Sequence, residues 1–330
     1  MHKFRKYFVL GGVTLGLLTQ SLYADEDKLS VSGFIDMSYY YESPDKGDST
    51  SSSAVDQLEL NLGYQASDGL SFSVDIESQN DEFTLEQAVL TYKFNDSVSV
   101  KAGRFLSYSG WETEEPTGLF QYSGTGYAPY FYGYYQEGVS IYAAGDMFDV
   151  GLSVVNDIFA LGNDTSEPAV ELAMAFHPSD SFTMKAFFMT ESLPNSDKSI
   201  DMINVWASYV VGNWTLAAEI NSAENTANYP YAPIELEGVS ITNPNVGDEA
   251  NGYLLMVNYA WDKYGVTFRH HDYDVESGAG LTTVDASAFT IAGSYAVTKN
   301  LLLVSEFRWD KDEATSNDFN SFALEALVTF

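Results

Sequence analysis

The sequence lacks cysteine altogether, and its 15 lysines and arginines are far outnumbered by 47 aspartates and glutamates, which gives a formal net charge of −32. The absence of cysteine excludes disulfides and the lipid-modified cysteine of lipoproteins. The charge argues against nucleic acid as a partner and favours cations. After the first residues no window reaches 18 consecutive apolar residues, which excludes a helical membrane protein.

The first 24 residues carry the pattern of a secretory signal. Basic residues come first, an apolar run over 7–18 follows, and a polar step ends at Ala24. The run is short for a membrane-spanning helix, so we predict a cleaved signal over 1–24 rather than the alternative, an uncleaved anchor. Loss of Lys3, Arg5 and Lys6 would change the charge from −32 to −35. Residues 25–330 are then predicted to form a single domain.

What the sequence does have is aromatic residues, at 15%, and repeated runs of about ten residues that alternate between apolar and polar. In LELNLGYQ, for example, Leu58, Leu60 and Leu62 share one face, and Glu59 and Asn61 share the other. Such alternation is typical of β-strands with one apolar face. Long runs of this kind are uncommon in soluble sheets. The sequence therefore predicts an all-β protein.

Marking each alternating run predicts sixteen strands, and the links between them alternate between tight turns and generally longer loops. This alternation is typical of an antiparallel transmembrane β-barrel with short periplasmic turns and long extracellular loops. The predicted strands cover residues 30–42, 54–66, 70–79, 82–94, 97–107, 132–144, 147–157, 168–177, 181–191, 199–211, 213–223, 251–261, 264–274, 285–296, 300–311 and 319–330.

The sequence ends on the apolar alternation LEALVTF, although the chain as a whole is strongly acidic. Leu324, Ala326, Val328 and Phe330 share one parity, and the other parity is mixed. Lipid offers no hydrogen-bond partners, so a sheet can cross a membrane only when it closes on itself. We predict that this stretch is the last strand, with its apolar face toward lipid and its mixed face toward a water-filled interior.

Two charged residues do not fit the expected orientation. Most basic residues lie at the alternate strand positions that are polar and are expected to face the interior. A lysine or arginine that faced lipid near mid-membrane would cost about 2–4 kcal/mol. Arg104, however, shares parity with Val100, and Glu137 shares parity with Val139. Either both lie at the outer rim, or Gly103 and Gly138 mark bulges that turn the side chains inward. We favour the bulges.

The segments LSVSGFIDMSYYY (29–41), LEQAVLTYKFNDSVSVKAGRFLSYSGWETEEPTG (85–118) and the closing aromatic strand resemble the OmpL-like β-barrel porins. More broadly they are similar to the sixteen-stranded Gram-negative porins, and AGRFLSYSGWE (102–112) is the most specific piece. The resemblance implies a passive diffusion channel in the outer membrane, surrounded by lipid and lipopolysaccharide, with no catalytic residues. Many such porins are homotrimers whose third loop folds inward.

The link at 108–131 occupies the position of that third loop. If it folds inward, we expect its acids to oppose basic wall residues across a constriction. The loop acids are Glu112, Glu114 and Glu115, and the wall residues are Lys101, Arg269 and Arg308. Arg104 is a further pore-lining candidate. The alternative is a solvated extracellular loop. Acids dominate the polar parity, which predicts a cation-leaning lumen for small hydrophilic solutes and ions; they are Asp36, Glu59, Asp75, Glu77, Asp149, Glu171, Glu219, Glu306 and Glu325.

Two other functions stay open. A structural or adhesive barrel could have its lumen closed by the loops at 108–131 and 224–250. A barrel enzyme would need a clustered serine, histidine and orienting acid, yet His270 and His271 are adjacent and so point to opposite faces of a strand. That geometry also disfavours a joint metal site. We therefore predict no enzyme activity, no metal and no cofactor.

Overall fold

Antiparallel strands make up most of the chain. The computed structural model describes residues 28–79, 82–158, 167–193, 197–226, 248–278 and 280–330. The predicted signal sequence and most of the link at 224–250 lie outside these residues. The strands are β1 (Leu29–Pro44), β2 (Thr50–Ser67), β3 (Leu70–Gln79), β4 (Glu82–Lys93), β5 (Val98–Leu106), β6 (Tyr135–Ala144), β7 (Phe148–Val155), β8 (Ala169–Ser179), β9 (Phe182–Ser192), β10 (Ser199–Val211), β11 (Trp214–Glu224), β12 (Glu249–Trp261), β13 (Tyr264–Glu276), β14 (Thr282–Ala296), β15 (Leu301–Asp312) and β16 (Phe319–Thr329).

The sheet closes into a barrel, as predicted, because the first strand pairs with the last. In the antiparallel register of β1 and β16, Phe34 lies opposite Thr329 and Tyr39 lies opposite Leu324. The terminal Phe330 adds two backbone hydrogen bonds with Gly33, of 3.0 and 3.2 Å. Each strand thus has a neighbour on both sides, and the sheet has no free edge that would leave backbone groups unsatisfied in lipid.

The outer face of the barrel is apolar, whereas the inner face carries most of the buried polar and charged side chains together with a cluster of apolar ones. Along β11 exposure alternates strictly: Ile220 is 63% exposed and Leu216 is 41% exposed, while Glu219 is 1% exposed and Asn221 is 6% exposed. Because successive strand residues point to opposite faces, the alternation read from the sequence assigns each side chain to the outer surface or to the lumen. The predicted fold class is confirmed.

Aromatic side chains form a band at the end of the barrel with the short turns. Next to the turns after β10, β12 and β14, the Trp214 ring contacts the tilted ring of Tyr259 at a centroid distance of 4.6 Å, and Tyr264 stacks on Tyr295 at 5.0 Å. Aromatic girdles of this kind mark membrane–water interfaces. Of the described residues, none belongs to a helix that is long and apolar enough to cross a membrane.

Strand boundaries match the prediction within two residues except at the starts of β2, β6 and β14, which differ by three or four residues. β2 begins at Thr50 rather than at 54, because a run of serines with no apolar alternation still pairs with β1, as where Ser52 lies opposite Tyr40. β6 begins at Tyr135 rather than at 132, because the chain before it is part of a folded loop. The alternation of apolar and polar residues does not predict where either strand begins.

Arg104 and Glu137 face outward, which differs from the expectation that bulges turn them into the lumen. The two residues lie opposite each other in an unbroken β5–β6 register, and Glu137 shares its face with Val139, which is 52% exposed. Their side chains form an ion pair of 2.7 Å near the loop end of both strands. The physical reason is mutual neutralisation at the rim, which makes an inward turn unnecessary.

Candidate functional site: a loop folded into the lumen

The link between β5 and β6, residues 107–134, lies inside the barrel; we call it the lumen loop. Its aromatic side chains are buried, with Trp111 at 4% and both Tyr127 and Phe131 at 0% exposure. The loop contains a short 3₁₀ turn at Pro116–Gly118 and the helix α1 at Ala128–Phe131. Gly110, near its start, has a φ of +93°, and a side chain there would collide with the ring of Tyr132.

Aromatic packing attaches the loop to one side of the wall. Trp111 makes an edge contact with Trp206 of β10 at a centroid distance of 5.2 Å and stacks on Phe120 of the loop at 6.3 Å. Tyr127 makes edge contacts with His271 and Tyr273 of β13 at 5.8 and 5.9 Å. Such contacts add to the free energy of burying large apolar side chains, so this half of the loop is held as a core.

Glu219 of β11 is the polar anchor within that core. Its carboxylate accepts hydrogen bonds from the hydroxyls of Tyr127 and Tyr132, from the Trp111 backbone N–H at 2.8 Å and from Asn204 Nδ2 at 2.5 Å. Burial and the adjacent Glu219 carboxylate raise the pKa of Tyr127 well above its usual value, so this hydroxyl stays a donor. A buried carboxylate needs such partners, and here three of its four donors come from the loop.

Glu171 of β8 holds the start of the loop in the same way. It accepts hydrogen bonds from the Tyr108 backbone N–H and the Ser107 hydroxyl, both at 2.8 Å. Lys101 lies beneath this segment, with its Nζ 4.0 Å from the ring centroids of both Phe105 and Tyr108. Lys101 is therefore an inward-facing residue, but its ammonium group is covered by aromatic rings rather than presented across a gap.

Arg269 of β13 binds the loop acid Glu112. Arg269 Nη1 lies 2.6 Å from Glu112 Oε1 and 2.6 Å from the Ser123 carbonyl oxygen, and its side chain is 0% exposed. Glu112 also accepts from Gln121 Nε2 and the Thr125 backbone N–H, each at 2.8 Å. This buried ion pair fixes both ends of the segment 112–125.

Arg308 and Glu306 of β15 hold the same part of the loop from the neighbouring wall. Arg308 Nη1 donates to the Gly124 carbonyl oxygen at 2.6 Å, and Arg308 pairs with Asp310 at 2.6 Å. Glu306 accepts from the Ser123 backbone N–H at 3.1 Å. The guanidinium groups predicted to line a water-filled gap are thus bound to loop carbonyl groups.

The loop reaches the opposite side of the lumen as well. The Tyr122 hydroxyl is 3.1 Å from Ser38 Oγ of β1, and Gln57 Nε2 of β2 donates to Glu115 Oε2 at 3.0 Å. Together with its bonds to β8, β11, β13 and β15, these contacts carry the loop across the barrel interior. Any solute that passes through must pass this loop.

Glu114 and Glu115 do not oppose basic residues, which differs from the expected arrangement. Burial and the nearby Glu77 carboxylate raise the pKa of Glu114 to about 7. Burial and the carboxylates of Glu59 and Glu86 raise the pKa of Glu115 to about 10. The reason is the path of the loop: it places Glu112 at the arginines and turns the next two acids toward the acidic wall of β2–β4.

The predicted wall acids occupy the lumen face. Six of them are at most 5% exposed: Asp36, Glu59, Glu171, Glu219, Glu306 and Glu325. Asp75 is inward as well and accepts from Asn61 and Gln87 at 3.0 and 2.6 Å. Parity thus located these residues, but it gave no signal that Glu219 and Glu171 would anchor the loop.

Glu86 was missed because of a register shift. In the β3–β4 ladder Asp75 pairs with Gln87 and Ile76 pairs with Leu85, which leaves Glu86 as an extra residue. A bulge of this kind reverses the parity beyond it, and Glu86 is 6% exposed. Only a proline or glycine in the strand would have signalled the bulge, and neither is present.

The two strand histidines lie on opposite faces, as predicted. His271 is 1% exposed and faces the lumen loop. His270 is close to the Ala288 carbonyl oxygen at 3.0 Å and to the Tyr253 hydroxyl at 3.2 Å. These contacts bring no serine to either ring.

A closed sixteen-stranded barrel with an apolar exterior, a polar lumen and an inward loop defines an outer-membrane protein of the porin class. The chain belongs to the family described as "Putative beta-barrel porin-2, OmpL-like", whose sequence profile matches residues 52–330. The family indicates an outer-membrane channel. No curated protein matches the sequence of this chain.

Solved structures of porins share the fold at low sequence identity. Salmonella typhi OmpF, in a complex with daunomycin, is 17% identical with a TM-score of 0.69, over 94% of this chain and 99% of that one. An anion-selective porin from Comamonas acidovorans is 14% identical with a TM-score of 0.66, over 92% and 99%. The trimer form of OmpT, an outer membrane protein of Vibrio cholerae, is 12% identical with a TM-score of 0.64, over 92% and 100%.

Proposed function

We propose that the protein is a passive diffusion channel for small hydrophilic solutes and ions, with the lumen loop as its constriction. The polar, inward-facing wall supports this proposal, since a water-filled path needs hydrogen-bonding groups along its length. The loop supports it too, because its bonds to β1, β2, β11 and β15 place it across the path of a solute. Transport then depends on size and charge, without energy coupling.

We infer that the channel favours cations, and the uneven charge of the lumen is the observation that carries this inference. Among the described residues, eleven acidic side chains are buried, whereas Arg269 is the one lysine or arginine that is equally buried; Lys101 and Arg308 also face the lumen. Arg269 and Arg308 are moreover bound to loop oxygens. The remaining potential is negative, which attracts cations and repels anions. The buried acids are Asp36, Glu59, Glu86, Asp157, Glu171, Glu191, Glu219, Asp248, Glu306, Asp310 and Glu325.

Single-channel recording in planar bilayers under a KCl gradient tests both statements. We expect sustained conductance and a reversal potential that corresponds to K⁺ permeating faster than Cl⁻. Raising the salt concentration should reduce the selectivity, because a Debye length of about 3 Å at 1 M screens the wall charges. A preference for Cl⁻ would refute the electrostatic argument, and absence of conductance at every protein load would refute the channel.

One observation favours a second function, a structural barrel with an occluded lumen. The lumen loop contacts strands on all sides, from Ser38 of β1 through Glu219 of β11 to Arg308 of β15. If it leaves no continuous path, the bilayer experiment returns no conductance. The same barrel would still be folded, which heat-modifiable migration on gels detects.

We also propose that residues 1–24 direct export through the periplasm and that the mature barrel assembles as a homotrimer in a bilayer of lipid and lipopolysaccharide. A trimeric structural neighbour supports the assembly. Mass measurement of the detergent-extracted protein before and after heating tests it. A single monomer mass under all non-denaturing conditions would contradict the trimer.

A further inference from the structure

Three carboxylates converge at one side of the lumen loop. They belong to Glu59 of β2, Glu86 of β4 and Glu115 of the loop, and one oxygen from each lies within 4.8 Å of the other two. The three residues come from three separate chain segments, so the tertiary structure alone brings them together. We call them the acidic triad.

The triad has buried oxygens that nothing satisfies. Oε2 of Glu59 and Oε2 of Glu86 are buried without a hydrogen-bond partner, and the two residues are only 4% and 6% exposed. In the parts of the chain that the structure describes, no ion pair includes any triad member. A buried carboxylate without a partner costs several kcal/mol, so the arrangement requires a positively charged species or protons.

Three of the four remaining triad oxygens are held in place by neighbours. Glu115 accepts from Gln57 Nε2 and from the Tyr135 hydroxyl, each at 3.0 Å. Glu59 accepts from Asn61 through its other oxygen, Oε1. Hydrogen bonds of this kind orient carboxylates that bind a metal ion. The triad is therefore positioned from outside, while the two unpartnered oxygens are left without a donor.

We propose that the acidic triad binds one divalent cation of the Ca²⁺ type. Three carboxylates are hard oxygen ligands, and Ca²⁺ accepts such ligands at about 2.3–2.6 Å. Two oxygens on one Ca²⁺ can therefore be up to about 5 Å apart, and three evenly spaced ones about 4.5 Å, so the triad, with its oxygens within 4.8 Å of one another, needs at most a small side-chain adjustment. Mg²⁺ bonds at about 2.0–2.1 Å and would require oxygens within about 4.2 Å of each other.

A cation at this position would join the lumen loop to the β2–β4 wall. Aromatic packing and Glu219 hold the other side of the loop, so the ion would complete its attachment across the lumen. The site is structural and does not rest on the proposed channel function. A barrel that conducts no ions could still bind Ca²⁺ here, and a conducting barrel could lack the site.

Terbium luminescence tests the site on the whole detergent-solubilised barrel. Tb³⁺ substitutes for Ca²⁺, and the Tyr135 hydroxyl bonded to Glu115 places a sensitising ring beside the ion. We expect tyrosine-sensitised emission that Ca²⁺ displaces more effectively than Mg²⁺. Glu59→Gln and Glu86→Gln should each weaken Ca²⁺ binding at least about tenfold, because affinity follows the charge of the ligands.

Glu325→Gln is the matched control, since Glu325 of β16 is an equally buried lumen glutamate that lies beside Asp36, outside the triad. It should leave Ca²⁺ affinity unchanged. Glu115→Gln alters only the loop and leaves every strand intact, so it keeps the test informative if a strand variant fails to fold. The proposal is overturned by absence of Ca²⁺-displaceable emission, or by equal Ca²⁺ affinity in the folded triad variants and wild type.

Discussion

Replacing Arg269 should release one side of the lumen loop, and the structure gives the size of the effect. The guanidinium is fully buried and bound to Glu112 and to the Ser123 carbonyl oxygen. Removing one partner of a buried ion pair costs about 3–5 kcal/mol, because the other charge stays buried and unpaired. We expect Arg269→Met to lower the free energy of unfolding by that amount.

A double-mutant cycle separates the pair from the rest of the wall. Glu112→Gln removes the negative charge but keeps an oxygen that can accept from Gln121. In the variant with both changes neither charge remains, so the loss should be smaller than the sum of the single losses by at least about 1 kcal/mol. Urea unfolding followed by tryptophan fluorescence measures the cycle, and Trp111 lies within the loop itself.

Arg104→Met provides the control for this cycle. Arg104 pairs with Glu137 at the rim of the barrel, where its side chain is 23% exposed. Exposed pairs contribute about 0–1 kcal/mol, so we expect a small loss. If Arg269→Met costs no more than Arg104→Met, or if the losses in the cycle simply add, the lumen ion pair does not hold the loop.

Two further predictions concern single positions. Gly103 has a φ of +124°, and a side chain there would lie 2.1 Å from the Ala88 carbonyl oxygen, so Gly103→Ala should lower the urea midpoint; Gly293→Ala, where no atom lies within 4 Å, should not. Glu219→Leu leaves buried hydroxyls such as that of Tyr127 without an acceptor, each costing about 1–3 kcal/mol. We expect the Glu219 variant to expose the lumen loop to limited proteolysis while the strands stay protected, and an unchanged digestion pattern would contradict the anchor role.

Much of the lumen wall could be predicted from the sequence because a strand has a period of two. Glu219 and Ile220 are adjacent, and their parity alone places one in the lumen and the other on the outer face. Where the ladder is irregular this reasoning fails. Glu86 is an example, because it is an extra residue in the β3–β4 ladder and reverses the alternation of faces beyond it. No residue type near Glu86 indicates this change.

The path of the lumen loop could not be predicted in the same way. Its sequence indicated an inward fold by position only, and it left open which acid would meet which base. Glu112 pairs with Arg269, 157 residues away, whereas Glu115 meets Glu59. Such contacts depend on the distance across the barrel and on the space that the aromatic side chains fill.

The sequence by itself thus determined the closed barrel and the side of the wall that each strand residue faces, because alternation and backbone hydrogen bonding in lipid permit few other solutions. Only the tertiary structure decided where the loop crosses the lumen, which charges it pairs and where carboxylates gather without a partner. Those features arise from residues that are distant in the chain, and no local pattern encodes their meeting.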